Sequence, residues 1–529
     1  MATEGERKEV KGEEEVETTP GDVVVAALDQ GTSSTRVILF DTRGRMVFVH
    51  QVEVAQHTPA PGWVQEDADE IFATAETCLA AAAAFAGARG LRVAALGVTN
   101  QRETTVAWDR VTGRPLHEAL VWLDTRTRDI VARAKARMDG GAEAWVRART
   151  GLPLATYFSA VKMQWLLEHV PAVAEAARAG RCAFGTVDAW LLWRLTRGAV
   201  HATDVTNASR TLLMGLAARA WDAELCAFFG VPRDTLPAIR SSAECYGRVA
   251  VCAGTVLADV PICGCLGDQQ AALVGQGCLA PGRAKCTYGT GCFLLRNVGT
   301  RPVASAHGLV ATVAYQLGPA APAHYALEGS VAVAGAAVQW LRDGLGLVAR
   351  AADIGPLAAT VPDTGGVCFV PAFAGLFAPR WRSDARGCIV GLTQHTTRAH
   401  IARATLEATC CQALEVLDAM ERDARVTDGQ PLAELRVDGG MTANTLLLQL
   451  QADYLGLPVV CPAMRETTAF GAALAAGIAQ GVWHLTPDGT AVVGISPDDT
   501  VYRPAITDDV REEKLTRWKM AVERSLNWV

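Results

Sequence analysis

Two carboxylates stand where apolar runs give way to glycine-rich polar stretches. One is Asp29, opening Asp29-Gln30-Gly31-Thr32-Ser33-Ser34-Thr35-Arg36; the other is Asp268, after Cys263-Gly264-Cys265-Leu266-Gly267. The first stretch crowds an acid, a glycine and four hydroxyls between β-branched runs at 23–28 and 37–40. Such a turn can offer backbone N–H groups and hydroxyls to a polyphosphate, with Asp29 holding a Mg²⁺ through its water shell. No Gly-Lys-Ser/Thr follows and strand texture resumes, so this is not a Walker A loop; an ordinary polar hairpin is the alternative. Asp268 leads into Gln269-Gln270 and renewed apolar texture. A helix N-terminus there would keep its carboxylate ionised, as either an N-cap or a general base, and the local pattern favours the cap.

A third polar cluster, Thr99-Asn100-Gln101-Arg102-Glu103-Thr104-Thr105, begins where the apolar run 91–98 ends. Ligands of open α/β sheets gather at the carboxyl ends of strands, so this edge is a candidate site; a solvated loop with a local Arg102–Glu103 pair is the alternative. Trp122 and Tyr157 each place an aromatic beside polar groups, and each alone reads as a partly buried core residue. Gly439-Gly440 leaves bare backbone against which a base and ribose can lie at a helix N-terminus. Ala334-Gly335-Ala336, with Gln339 and Trp340, offers another small-residue surface.

These positions need a frame. Strand texture at 23–28, 37–40 and 46–54 predicts a β-meander, and 67–85 a helix with Asp67, Asp69 and Glu70 at its dipole-favoured start. Residues 91–98 read as a buried strand, 162–169 and 172–177 as helices, and 182–196 as a segment whose two Trp residues pack on an apolar face. Residues 203–210 read as a polar turn that satisfies its own backbone. Strand, Gly/Thr turn and strand then recur at 283–298 around Gly289-Thr290-Gly291. The recurrence predicts an internal duplication with a boundary near residue 275. A strand at 435–438 and a helix at 442–455 extend the echo.

At 529 residues, half of them hydrophobic, the chain can bury two cores. A net charge of −7 argues against nucleic acid as a partner. The Ala-rich run 79–88 is closed by Arg89 and Arg92, and no uninterrupted apolar stretch reaches membrane-spanning length. Fifteen Cys residues contain no CxxC pair, which speaks against zinc and a disulfide framework and for a reducing compartment. A cytoplasmic location and a disordered acidic tail over 1–21 are expected.

In this order, Ala27 to Ser34, Thr99 to Thr105, Thr203-Asp204-Val205-Thr206-Asn207-Ala208-Ser209-Arg210, Gly267-Asp268-Gln269-Gln270, Thr287-Tyr288-Gly289-Thr290-Gly291-Cys292-Phe293 and Val437-Asp438-Gly439-Gly440 resemble the FGGY family of carbohydrate kinases. Within it they are most similar to the branch that phosphorylates glycerol, and the wording around Tyr157 looks more eukaryotic than bacterial. The resemblance runs from about residue 23 to 529. It implies an α/β fold of two actin-like (ribonuclease H-like) domains, 22–275 for glycerol and 276–529 for nucleotide, with the catalytic cleft between them. ATP and Mg²⁺ are the implied cofactors and glycerol and ATP/ADP the ligands; a homo-oligomer, dimer or tetramer, is expected.

By the family pattern Arg102, Glu103, Tyr157, Asp268 and Gln269 bind the glycerol hydroxyls, while Trp122 and Phe293 cover its carbon edge. Asp268 is the implied general base and Asp29 serves the metal. Thr32, Ser33, Ser34 and Thr290 serve the phosphates, with Arg36 nearby; Gly335, Gln339, Gly440 and Asn444 line the nucleotide site. One departure stands out: after Pro379 the family carries Tyr-Trp and an acid, whereas this chain has Arg380-Trp381-Arg382, read as a solvated surface change. A kinase for a ketose or another polyol, and an actin-like binding protein without catalysis, are the rival readings.

Overall fold

The computed structural model of the chain describes residues 18–425, 430–486 and 498–529. The expected acidic tail therefore lies, up to residue 17, outside the described residues.

The opening meander forms as the strand texture predicts: β1 (Val23–Gln30), β2 (Ser34–Asp41) and β3 (Met46–Glu53). Helix α1 (Ala68–Ala88) follows, its first turn capped by Asp67, whose carboxylate accepts from Asp69 N. Strands β4 (Arg92–Asn100), β5 (Ala243–Arg248) and β6 (Pro261–Gly267) complete a sheet of order β5-β6-β4-β1-β2-β3. Helix α2 (Asp268–Gly275) then leads into the second half.

There β7 (Ala284–Tyr288), β8 (Cys292–Gly299), β9 (Val310–Tyr315) and β10 (His324–Val331) precede helices α3 (Gly335–Asp343) and α4 (Arg398–Ala424). Strand β11 (Leu435–Asp438), helix α5 (Thr445–Leu455), strand β12 (Val459–Cys461), helix α6 (Thr467–Ala479) and strand β13 (Thr500–Tyr502) follow. The second sheet runs β9-β10-β8-β7-β11-β12-β13.

The duplication predicted from the two hairpins is visible in the pairing. In the first sheet β1 is antiparallel to β2, which is antiparallel to β3, while β4 lies parallel to β1 and β6 parallel to β4. In the second, β7, β8 and β10 form the antiparallel trio, and β11 and β12 the parallel pair. Three antiparallel strands extended by two parallel ones, twice over, is the ribonuclease H-like arrangement of an actin-like fold.

Strand β1 is buried along almost its whole length instead of alternating, because both faces of its sheet are covered. Helix α1 covers one face, packing on β2 and β3. The other face is covered by α6, which comes from the second half of the chain and packs on β1, β4 and β6. Helix α6 is apolar on every side, Thr-Thr-Ala-Phe-Gly-Ala-Ala-Leu-Ala-Ala-Gly-Ile-Ala, as a helix enclosed by protein must be.

Its seat is cut by glycines. A Cβ on Gly97 of β4 would fall 2.1 Å from Ala472 O, and one on Gly264 of β6 would fall 2.5 Å from the same atom. Where α6 crosses α2, a Cβ on Gly471 would lie 1.9 Å from Ala271 O and one on Gly275 1.9 Å from Thr467 O. The two helices thus touch backbone to backbone. Around them one apolar cluster draws Val25, Ile38 and Phe40 from the first sheet and Leu295, Ala314 and Ala326 from the second, with Phe470 and Trp483 between.

Several local expectations are refined. Segment 182–196 divides into a strand, Cys182–Thr186, and a helix, Val187–Leu195, whose Trp190 is buried against Trp108. The polar stretch 203–210 is a strand end and a single helical turn, with Asp204 accepting from Thr206 N and Asn207 N. Helix α1 ends with the Ala-rich run at Ala88 and is long and apolar enough, by length and composition, to cross a membrane; ten of its residues, Ile71, Phe72 and Leu79 among them, are buried in the first core. All fifteen cysteines are free thiols. Arg380 and Arg382 are held by ion pairs to Glu415 and Asp384 at 2.8 and 2.6 Å, each side chain partly exposed.

The backbone contact at the α2–α6 crossing has a measurable consequence. Gly471→Ala forces helix backbone apart and is expected to destabilise the protein by about 1–3 kcal/mol, read as a fall in Tm. Gly87→Ala in α1, where the nearest atom is Val256 Cγ1 at 3.7 Å, is the control and should leave Tm unchanged or raised, because Ala is favoured over Gly inside a helix by about 0.5–1 kcal/mol.

Candidate active site

The β1–β2 turn is tied on several sides. Gly31 N donates to Ser34 O at 2.9 Å and closes the hairpin, Gln56 Nε2 donates to Thr32 O at 3.2 Å, and Trp122 Nε1 donates to Thr32 Oγ1 at 3.0 Å. Behind the turn, Glu66 accepts from Gln101 Nε2 at 2.7 Å and from Gln56 Nε2 at 3.3 Å. Burial pushes the Glu66 pKa up to about 7 against the pull of those two amides. Asp29, at the end of β1, is buried and faces Arg36 Nε at 2.9 Å; Arg36 Nη1 in turn donates to Glu466 at 2.7 Å, just ahead of α6. Burial raises the Asp29 pKa and Arg36 opposes it. Its Oδ2 is the atom that faces Arg36 and accepts no aligned hydrogen bond; a carboxylate oxygen is a hard donor of the kind that binds the water shell of a divalent cation.

The polar stretch after β4 is not a solvated loop. Residues 99–105 are all buried, and Arg102 is 3% exposed. Nor do Arg102 and Glu103 form a local hydrogen-bonded pair. Arg102 places Nε 3.1 Å from Asp268 Oδ1 and gives Nη1 and Nη2 to Glu328 of β10 at 2.7 and 2.9 Å. Glu103, in the left-handed region at φ +59°, accepts instead from Arg210 Nε at 2.5 Å. Beneath them Asn100 and Asn207 exchange side-chain amide bonds at 3.0 Å.

Asp268 is the first residue of α2 and not its cap. Gly267 occupies the cap position, and Asp268 Oδ1 accepts from Gln269 N at 2.6 Å. The cap reading fails because the strand continues through Gly267, where a Cβ would strike Arg102 at 2.7 Å, and the turn into the helix falls there. The Asp268 side chain is 29% exposed, open on one side. Burial still raises its pKa, with Arg102 and Lys285 opposing. Gln269 Oε1 accepts from Lys285 Nζ, which also reaches Thr287 Oγ1 at 2.8 Å. Trp122, Tyr157 and Phe293 of β8 meet edge to face, at 5.5 Å for Trp122–Tyr157 and 6.2 Å for Trp122–Phe293.

The second hairpin is laid against the start of α3. Gly335 N donates to Gly289 O at 3.0 Å, and Ala334 N and Ala336 N both donate to Thr290 O. A Cβ on Gly335 would lie 2.6 Å from Gly289 O, so only glycine fits. Gly439, just after β11, sits at φ +91°, where a Cβ would fall 2.3 Å from Tyr288 O, and Gly440 beside it has no atom within 4 Å of a Cβ. Asn444 caps α5, accepting from Leu447 N at 3.2 Å.

The structure therefore joins Arg102, Glu103, Trp122, Tyr157, Asp268, Gln269 and Phe293 in one cluster of polar and aromatic side chains, with Thr32, Asp29 and Arg36 at its edge. Ser33 is exposed at the tip of the first turn and Ser34 opens β2. Thr290, Gly335, Gly440 and Asn444 lie along the second hairpin and the end of β11; Gln339 is exposed on α3, one turn from Gly335. Sequence reasoning missed Glu328, Arg210, Lys285 and Glu66. A lone charge inside an apolar strand, as in His324-Tyr-Ala-Leu-Glu328 and Ala284-Lys285-Cys286, is the signal that could have found two of them.

Two duplicated halves closing over a polar cleft, with a backbone-lined turn from each, define a two-lobed kinase of the actin-like class. Residues 24–275 match the FGGY family of carbohydrate kinases, N-terminal domain, and residues 284–480 its C-terminal domain. The chain belongs to this FGGY family. It is 54% identical over 507 residues to the glycerol kinase of Nocardia farcinica, covering 95% of this chain and 99% of that one. Its identity with the probable glycerol kinase of Dictyostelium discoideum is 48% over 542 residues, covering 96% and 98%. The solved Plasmodium falciparum glycerol kinase with ADP superposes with a TM-score of 0.88 at 36% identity, covering 96% of this chain and 99% of that one.

Glu66 makes the turn's support sensitive to pH. Its folded pKa lies above the ordinary value of 4.5, so the associated stability is fully present below about 4.5, falls away as pH rises towards 7 and is gone above it. Melting curves from pH 5 to 8 should show the wild type losing on the order of 1–3 kcal/mol relative to Glu66→Gln, with a flat difference above pH 7.5. A constant difference throughout would remove Glu66 as the titrating group.

Proposed function

We propose that this chain transfers the γ-phosphoryl group of ATP to a terminal hydroxyl of glycerol, giving glycerol 3-phosphate and ADP, with Asp268 as the general base. The observation that carries the base assignment is the asymmetry of the Asp268 carboxylate. Oδ1 is occupied by Gln269 N and faces Arg102 Nε, while Oδ2 has no protein hydrogen-bond partner among the described residues. An oxygen left open to the cleft at the mouth of α2 is free to accept a hydroxyl proton as the phosphoryl group departs from ADP.

The acceptor end suits a small uncharged polyol. Arg102, Arg210 and Lys285 stand against Glu103, Glu328 and Asp268, three cations to three carboxylates, so the pocket carries no excess charge to attract an acid. Arg102 and Glu103 offer donor and acceptor to adjacent hydroxyls, Tyr157 and Gln269 add further partners, and the edges of Trp122 and Phe293 form a wall for the carbon side. A site built around hydroxyls rejects analogues that lack them, because its own buried groups would be left unpaired.

At the nucleotide end, backbone N–H groups and hydroxyls of the two turns, Thr32, Ser33 and Ser34 from one and Thr290 from the other, face the phosphates, with Arg36 beside them. Gly335, Gln339, Gly440 and Asn444 receive the nucleoside on bare backbone. Asp29 would hold the water shell of Mg²⁺, which when bound with ATP offsets phosphate charge. Phosphoryl transfer needs little covalent help from protein, so in-line placement and charge dispersal by these groups supply most of the rate. Residues 22–275 act as the acceptor lobe and 276–529 as the nucleotide lobe, although Phe293 and Lys285 reach across.

Purified protein is expected to release ADP from ATP-Mg²⁺ in a glycerol-dependent manner; release unaltered by glycerol would sink the assignment. Asp268→Asn should bind ADP as the wild type does while kcat falls by about 10²- to 10⁴-fold. An unchanged kcat would leave Asp268 without the role of base.

A further inference from the structure

One of the buried charges of the acceptor site comes from the middle of a strand in the second sheet. Glu328 sits in the middle of β10, between Leu295 of β8 and Val310 of β9, and is 1% exposed. Its Oε2 accepts from Nη1 of Arg102 at 2.7 Å and of Arg210 at 3.3 Å; its Oε1 accepts from Nη2 of Arg102 at 2.9 Å and of Arg210 at 3.2 Å. One carboxylate of the second sheet thus gathers two guanidinium groups from the first half. Burial alone would raise its pKa, but Arg102 and Arg210 outweigh that and hold it down at about 2, so Glu328 is an anion throughout the working range of pH.

We propose that Glu328 is the positioning residue of the acceptor site: reaching across from the second half, it fixes the planes of Arg102 and Arg210 and through them sets Asp268 and Glu103. The geometry leaves these side chains little freedom. With Nη1 and Nη2 on Glu328 and a further bond from Nη1 to Gln270 at 3.2 Å, the Arg102 guanidinium has one orientation, and that orientation puts Nε 3.1 Å from Asp268 Oδ1. Arg210, its own Nη atoms on Glu328, turns Nε onto Glu103 at 2.5 Å. Glu328 is also what allows two buried cations to lie side by side; a buried guanidinium without a counter-charge is strongly unfavourable. The acceptor site is therefore complete only when the second sheet abuts the first half, which couples polyol recognition to the relative placement of the lobes. This rests on the roles given above to Arg102, Glu103 and Asp268.

The test compares wild type, Glu328→Asp and Glu328→Gln for glycerol affinity by calorimetry, for KM of glycerol and of ATP, for ADP affinity and for Tm. Glu328→Asp keeps the charge but retracts it by one methylene, and is expected to raise glycerol Kd and KM about 10-fold or more while ADP affinity and the KM of ATP stay within about twofold. Glu328→Gln should be worse. If it fails to fold, Glu328→Asp decides the matter. A purely structural role would lower Tm and active fraction without separating glycerol from ATP. In any folded variant, glycerol affinity within threefold of wild type, or equal losses for both substrates, overturns the proposal. A wild type that neither binds nor phosphorylates glycerol would instead overturn the activity on which it rests.

Discussion

Two arginines and two carboxylates are buried within hydrogen-bond reach of one another at the junction of the two halves, with a third carboxylate, Asp268, partly open beside them, and each has a partner of opposite charge. A charge removed from water is tolerated only with close, well-aligned partners. Here Arg102 and Arg210 descend from the first half, Glu328 rises from the centre of the second sheet, and Asp268 closes the set from α2. That requirement fixes the separation of the sheets at one end of the cleft more tightly than apolar packing could, because hydrophobic burial has no direction and a bidentate ion pair does.

The other end of the junction is set by the opposite kind of contact. Helices α2 and α6 approach until backbone meets backbone, made possible by Gly275 and Gly471, with Gly97 and Gly264 hollowing the sheet beneath. Asp268 stands at the N-terminus of α2, and Glu466, which anchors Arg36 and through it Asp29, immediately precedes α6. Asp268 and Asp29 are thus held by the same helix pair. A change in the crossing would move both groups at once, so a glycine stripe with no chemistry of its own controls the spacing of the groups that have it.

Much of this was legible beforehand. Strand, polar turn and strand at 23–40 and again at 283–298 are local patterns, written in β-branched residues and in Gly, Ser and Thr whose turn preferences act over a few bonds. Their repetition correctly implied a duplicated fold. Asp29, Arg102, Glu103 and Asp268 were visible as charges at the ends of apolar strands, but the local pattern left each a structural use, and their candidate roles came from the family resemblance. Residues Glu328 and Lys285 carried a similar signal, but inside a strand such a charge can be satisfied from either face of the sheet by any of many partners.

By itself, then, the sequence determined the elements, the doubling of the fold and the identity of the polar turns, because these follow from interactions between residues close in the chain. Only the tertiary structure decided the pairings: that Arg102 turns from its neighbour Glu103 to Glu328, 226 positions away, that Glu103 takes Arg210, that Asp268 begins its helix and leaves Gly267 to cap it, and that α6 returns to cover the first sheet. Those choices depend on how two halves fit together, and Coulomb and packing forces between residues distant in sequence have no signature until the chain has closed on itself.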